Sequence, residues 1–130
     1  MTPVFRVLKG SGRERLIVHE LALVDSIFQI INLKIKELQL EKISQVKLVI
    51  GEMKAVEEMT LSACFEVFAK DTIAEGAELI FERVPLRGKC RQCGQTFKVK
   101  KYRFICPECG DNAVEVISGK EFYIDSLLAE

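Results

Sequence analysis

The stretch that decides the reading is CRQCGQTFKVKKYRFICPECG, residues 90–110. Its four cysteines, Cys90, Cys93, Cys106 and Cys109, form a C-x2-C-x12-C-x2-C pattern, and each pair is followed at once by glycine, Gly94 or Gly110. Two residues between thiolates let one tight turn present both sulfurs to a single ion. A following glycine takes the backbone angles such a turn needs and brings its amide near a sulfur. Two such turns supply a closed tetrahedral shell, which is the arrangement of a structural zinc site and leaves no open position for a substrate. A segment this short, with few apolar side chains, could hardly fold without its ion.

The same four ligands also serve iron in rubredoxin-like sites, and Cys-Pro-Glu-Cys-Gly is similar to one of the knuckles used there. Nothing else in the chain suggests an electron carrier. A redox dithiol is a weaker reading still, because two pairs in register are better explained by one metal. The compartment agrees with a metal site. Met1 to Ile17 lacks the continuous apolar run of a secretory signal and carries Arg13, Glu14 and Arg15. No apolar run approaches the roughly 18 to 20 residues that cross a membrane. A cytoplasmic location is therefore expected, with no membrane partner, and there close cysteine pairs read as metal ligands before disulfides. The fifth cysteine, Cys64, shares a helical neighbourhood with Leu61, Phe65 and Phe68 and reads as a small buried hydrophobe.

Around the cysteines the chain is basic. Arg83, Arg87, Lys89, Arg91, Lys98, Lys100, Lys101 and Arg103 follow one another with no acidic residue among them, and Phe97, Tyr102 and Phe104 are interleaved. Such a patch could track a nucleic-acid backbone and stack bases. The alternative to the main reading is accordingly a zinc-ribbon nucleic-acid-binding module. A solvated basic ribbon that docks on an acidic protein surface is the plainer explanation of the charge. Over the whole chain 19 basic and 19 acidic side chains cancel, so nucleic acid is not the expected partner.

Outside this module the apolar residues are periodic. Val24, Ile27, Phe28, Ile31, Ile35 and Leu38 fall three and four apart, which predicts a helix from Glu20 to about Leu40. Val46, Leu48 and Ile50 alternate with Gln45 and Lys47, which predicts a strand over 43–52. Leu61, Cys64, Phe65 and Phe68 return to helical spacing over 57–70, with Glu57 and Glu58 in the first turn, where the helix dipole favours them. Strands follow over 77–84, 114–117 and 121–128, while 86–112 shows little apolar periodicity. The expected fold class is α+β: two helices packed on a small three-stranded sheet, with an inserted zinc-ribbon module. The expected domains are an extension, 1–17; an α/β domain, 18–86 plus 113–130; and a zinc-binding domain, 87–112.

The function expected of the α/β domain rests on resemblance. His19-Glu20 opening a long amphipathic helix, Val-Ile-Gly-Glu at the end of the next strand, the late CxxCG and CPxCG ribbon, and the closing Ser-Gly-Lys-Glu-Phe strand together resemble the HypA/HybF family. The resemblance covers Val18 to Glu130. It implies a nickel metallochaperone for maturation of nickel–iron hydrogenase, and in some bacteria of urease, and not an enzyme. It also implies a structural zinc at the four cysteines and nickel as transient cargo. The implied partners are a GTPase of the maturation pathway and the hydrogenase large-subunit precursor. In that family the chain begins Met-His-Glu, and nickel is held by the terminal amine, the imidazole and backbone nitrogens. Carried over, this implicates Val18 as terminal residue, His19 as side-chain ligand and Glu20 through its backbone nitrogen, with Glu57 as a further acidic residue near the nickel. An amine, a neutral imidazole and deprotonated amides make the planar nitrogen set that Ni(II) favours. Val18 stands where the family has methionine, which suggests that residues 1–17 are a start-site artefact, with Val18 encoded by an alternative start codon.

Overall fold

A computed structural model of the chain describes residues 4–6, 20–54 and 56–130. The elements in order are β1 (Val4–Arg6), α1 (Glu20–Leu38), β2 (Ile43–Gly51), α2 (Glu58–Ala69), β3 (Glu78–Val84), β4 (Arg87–Cys90), β5 (Thr96–Lys98), β6 (Val114–Ser118) and β7 (Phe122–Ala129). Val18 and His19 lie outside the described residues.

The helical spacing in the sequence becomes burial in the structure. α1 buries Val24, Ile27, Phe28 and Ile31 and exposes Asp25, Gln29, Asn32 and Lys36. It stops two residues before the expected end because Gln39 takes a left-handed backbone (φ 55) and the Leu40 amide turns back to the Ile35 carbonyl at 3.1 Å. Leu40 is nevertheless buried. α2 buries Leu61, Phe65 and Ala69. The two helices meet through aromatic rings, Phe28 lying 5.0 Å from Phe65 and 5.8 Å from Phe68 between centroids. Cys64 is only half-buried, because α2 turns it toward the edge of the face that Leu61 and Phe65 define.

One sheet has the order β1-β7-β2-β3. Ile43 donates to the Ile73 carbonyl (3.0 Å) at the start of β2, and Glu52 donates to the Val84 carbonyl (2.8 Å) just past its end. Both bonds advance in the same chain direction, so β2 and β3 are parallel, and α2 is the crossover that a parallel pair requires. Lys42 and Glu130 exchange backbone bonds of 2.9 Å each way, which makes β7 antiparallel to β2. β2 alternates as expected in its first half, but Leu48, Val49, Ile50 and Gly51 are all buried, as suits an inner strand. β1 pairs with β7 in the register Val4 to Leu128, so the sheet has a fourth strand drawn from the stretch read as an extension.

The second sheet, order β5-β4-β6, is antiparallel throughout. The segment 86–112 does carry a period of two, contrary to the expectation from sequence. Phe97 and Val99 are buried between exposed Thr96, Lys98 and Lys100, and Gly88 and Cys90 are buried beside exposed Arg87 and Lys89. Strands of three and four residues are too short for the alternation to stand out until their pairing is known.

The chain divides into two compact units. The first comprises 1–48, 56–82 and 123–130; the second comprises 49–55 and 83–122. The expected zinc-binding segment, 87–112, falls within the second. The second unit contains a buried cluster of Leu86, Cys90, Phe97, Val99 and Cys106, with Phe104, Val114 and Val116 packed against them. It also contains a close backbone approach, in which a Cβ on Gly51 would run into the carbonyl of Gly119.

Candidate metal centre

Two knuckles, built alike, bring the four cysteines together. In the first, the Cys90 amide donates to the Gln95 carbonyl and the Gly94 amide to the Cys90 carbonyl, both at 2.9 Å. In the second, Cys106 donates to Asp111 and Gly110 to Cys106, again at 2.9 Å. Gly94 and Gly110 have φ of +79 and +76, the left-handed conformation that the pattern demands. β4 leads into the first knuckle, and the second is followed in the chain by β6, which pairs with β4.

The four sulfurs lie within 4.8 Å of one another, and Cys90–Cys109 and Cys93–Cys106 are each 3.6 Å apart. A tetrahedral ion with zinc–sulfur bonds of about 2.3 Å requires sulfur–sulfur edges of about 3.8 Å. The donors therefore fit a thiolate-bound zinc. Cys90 and Cys106 are buried, while Cys93 and Cys109 are exposed, so each knuckle gives one inner and one outer ligand.

The proton affinities agree with a site built for a cation. At Cys106 the Cys109 amide outweighs burial and, with the Glu108 amide and the neighbouring sulfurs, lowers the thiol to about 7. At Cys109 the Asp111 amide pulls the same way, but the Cys90 sulfur, burial and the other two sulfurs push the thiol up to about 12. At Cys93 the Gln95 amide favours the thiolate, yet the Cys106 and Cys90 sulfurs and burial leave the thiol raised. Without a cation, four thiolates at this separation repel one another, so ionising one suppresses the next. A divalent metal removes that conflict.

The remaining sequence-predicted site residues are elsewhere. Glu20 opens α1. Glu57 precedes α2 in an extended conformation (φ −87, ψ 118); its carbonyl accepts from the Leu61 amide at 3.0 Å, and its side chain makes no capping bond. The basic residues from Arg83 to Arg103 are all exposed. The rings interleaved with them are not. Phe97 is buried, Phe104 packs on the interior of the second unit, and only Tyr102 of the three is exposed. A base-stacking platform needs accessible faces, so the nucleic-acid alternative keeps only Tyr102 of its three interleaved rings. One feature was not read from the sequence. Arg83 and Lys98 line a surface cleft of about 400 Å³ with Glu52, Val84 and Pro85. The alternation of Lys98 and Lys100 with Phe97 and Val99 was the signal available for half of it.

A closed four-sulfur centre in one small unit, in a chain whose other unit is α+β with two helices, defines a metalloprotein whose thiolate-bound ion is structural. The family model described as "Hydrogenase/urease nickel incorporation, metallochaperone, hypA" matches residues 18–129. The hydrogenase maturation factor HypA of Dehalococcoides mccartyi (strain 195) is 40% identical over 110 residues, covering 85% of this chain and 92% of its own. That of Caldanaerobacter subterraneus subsp. tengcongensis is 35% identical over 114 residues, 87% of this chain and 100% of its own. The solution structure of the nickel metallochaperone HypA from Helicobacter pylori shares the fold, with a TM-score of 0.62 at 24% identity over 86% of this chain and 97% of that one. The chain belongs to the HypA family of nickel metallochaperones. The family carries nickel as cargo and zinc as a structural ion, and it works within hydrogenase maturation.

Proposed function

We propose that this chain binds Ni(II) at its His19 end and delivers it to nickel–iron hydrogenase under assembly, while zinc at Cys90, Cys93, Cys106 and Cys109 holds the second unit in shape. The observation that carries the reading is the family match, which begins at residue 18, the position beside His19. The nickel donors are His19 through its imidazole, the amine of a chain starting at Val18 and the backbone nitrogen of Glu20. Glu57 is an outer acidic neighbour of that site. Helix geometry supports the Glu20 assignment. Glu20 is the first residue of α1, and the first amides of a helix have no partner within it. An amide outside the helical ladder can lose its proton to bind nickel without breaking a helical bond. Nitrogen donors select Ni(II), whereas the thiolates keep zinc, so the two metals are separated by ligand chemistry.

The reading places the protein in the cytoplasm; among the described residues no helix is long and apolar enough to cross a membrane. Its partners are a GTPase of the pathway and the hydrogenase large-subunit precursor, which the basic stretch contacts. It carries cargo and catalyses nothing. A strain lacking this chain should lose nickel–iron hydrogenase activity and regain it with the wild-type gene but not with His19→Ala. Full activity in the deleted strain, or full rescue by His19→Ala, would contradict the proposal.

A further inference from the structure

The outer face of the β5-β4-β6 sheet sets like charges against each other. Arg87 on β4 stands directly opposite Lys98 on β5, and one step along the same face Lys89 stands opposite Thr96. Directly opposed residues of an antiparallel pair share a face, and like charges so placed destabilise the pair. All four are exposed, so this is the solvent side of the sheet. Lys98 also lines the cleft of about 400 Å³ that Arg83, Glu52, Val84 and Pro85 complete. Glu52 is held there by the Leu86 amide, which donates to its carboxylate at 2.8 Å. At the β6 edge the register shifts between Arg87 and Gly88, and nearby Ile117 is 47% exposed.

We propose that this face is a docking site for an acidic peptide segment of a partner protein, with one carboxylate seated in the cleft against Lys98 and Arg83 and a second beside Arg87. The proposal deepens the reading that the basic stretch contacts a partner, and it rests on that reading. An arriving carboxylate turns the Arg87–Lys98 opposition from a liability into a two-cation clamp. Glu52 offsets part of the positive charge in the cleft, which suits a single carboxylate and disfavours a phosphate chain. Glu115, opposite Lys89 on the other neighbouring strand, does the same along the face. The exposed Ile117 offers an apolar contact that a peptide side chain can cover and a nucleic-acid backbone cannot.

The test uses the full, zinc-loaded chain and a capped hexapeptide of alternating glutamate and leucine, followed by amide NMR shifts. Binding should move resonances of β4, β5 and residues 83–85 and weaken as salt is raised. Arg87→Gln with Lys98→Gln should weaken binding about tenfold or more, as expected for losing contacts to charged partners. Lys36→Gln with Lys70→Gln removes equal charge from exposed positions in the last turn of α1 and at the end of α2 and should leave affinity within about twofold. Equal weakening by both pairs would mean diffuse attraction and overturn the site. Tighter binding of oligo-uridylate than of the peptide, or no peptide binding, would overturn it too. Nickel binding, measured separately on the same samples, distinguishes failure of this site from failure of the metallochaperone reading.

Discussion

In the first unit Ile31, Ile43, Leu48, Leu61 and Phe65 are each 1% exposed or less, and the helices meet through a cluster of three phenylalanines. In the second, the buried cluster around the cysteines has five residues, and two of them, Cys90 and Cys106, belong to the four-sulfur site. One unit is held by apolar area removed from water, at about 25 cal/mol per Å². The other has too little apolar area for that and uses a metal as its centre. The division suits a carrier. A structural ion locked by four thiolates gives a stiff surface, while the nickel site we propose uses exchangeable nitrogens at the start of α1.

Removing zinc should produce the largest effect. A structural zinc contributes roughly 10 to 16 kcal/mol to folding its own unit. Chelation, Cys90→Ser or Cys106→Ser should collapse amide dispersion across 83–122 while the helical circular dichroism of α1 and α2 persists. Retained zinc and an unchanged spectrum would break the comparison. The pH dependence has a definite sign. Zinc must displace protons from Cys93 and from Cys109, whose thiols are raised in the metal-free site. Zinc affinity should therefore fall as pH falls, with protons released on binding measurable by titration in buffers of different ionisation enthalpy.

Phe65→Ala should act in reverse. Truncating a phenylalanine 1% exposed and 5.0 Å from Phe28 should lower stability by about 3 to 5 kcal/mol. Zinc stoichiometry should stay the same, as a denaturant melt and a metal assay on one sample would show. Gly51→Ala should have a smaller effect, about 1 to 3 kcal/mol, by driving a methyl group against the Gly119 carbonyl. Its perturbation should appear first in hydrogen exchange of 83–86 and 119–121. Unchanged exchange there would mean that the close approach is not maintained in solution.

Most of the fold was legible because long elements carry enough turns to show a period. α1 declares itself through Val24, Ile27, Phe28 and Ile31, and α2 through Leu61 and Phe65. The knuckles were legible for another reason: ligand spacing and the glycine that follows are set by metal geometry, not by context. The outer sheet of the second unit was not legible. Thr96-Phe97-Lys98 is too short to distinguish from loop, and the opposition of Arg87 to Lys98 exists only once β4 and β5 are in register. Nor did the sequence show that Phe97 and Phe104 face inward, which is what separates a stacking surface from a core. The His19 assignment came from resemblance, since a lone histidine at a helix start has no period or spacing to mark it.

The most direct test is a calorimetric nickel titration of a zinc-loaded chain that starts at position 18 with methionine in place of Val18, alongside the same chain carrying His19→Ala. The account predicts stoichiometric nickel binding that disappears with the histidine while zinc stays bound in both. Nickel bound equally well without His19, or bound only when zinc is displaced from the four cysteines, would contradict it.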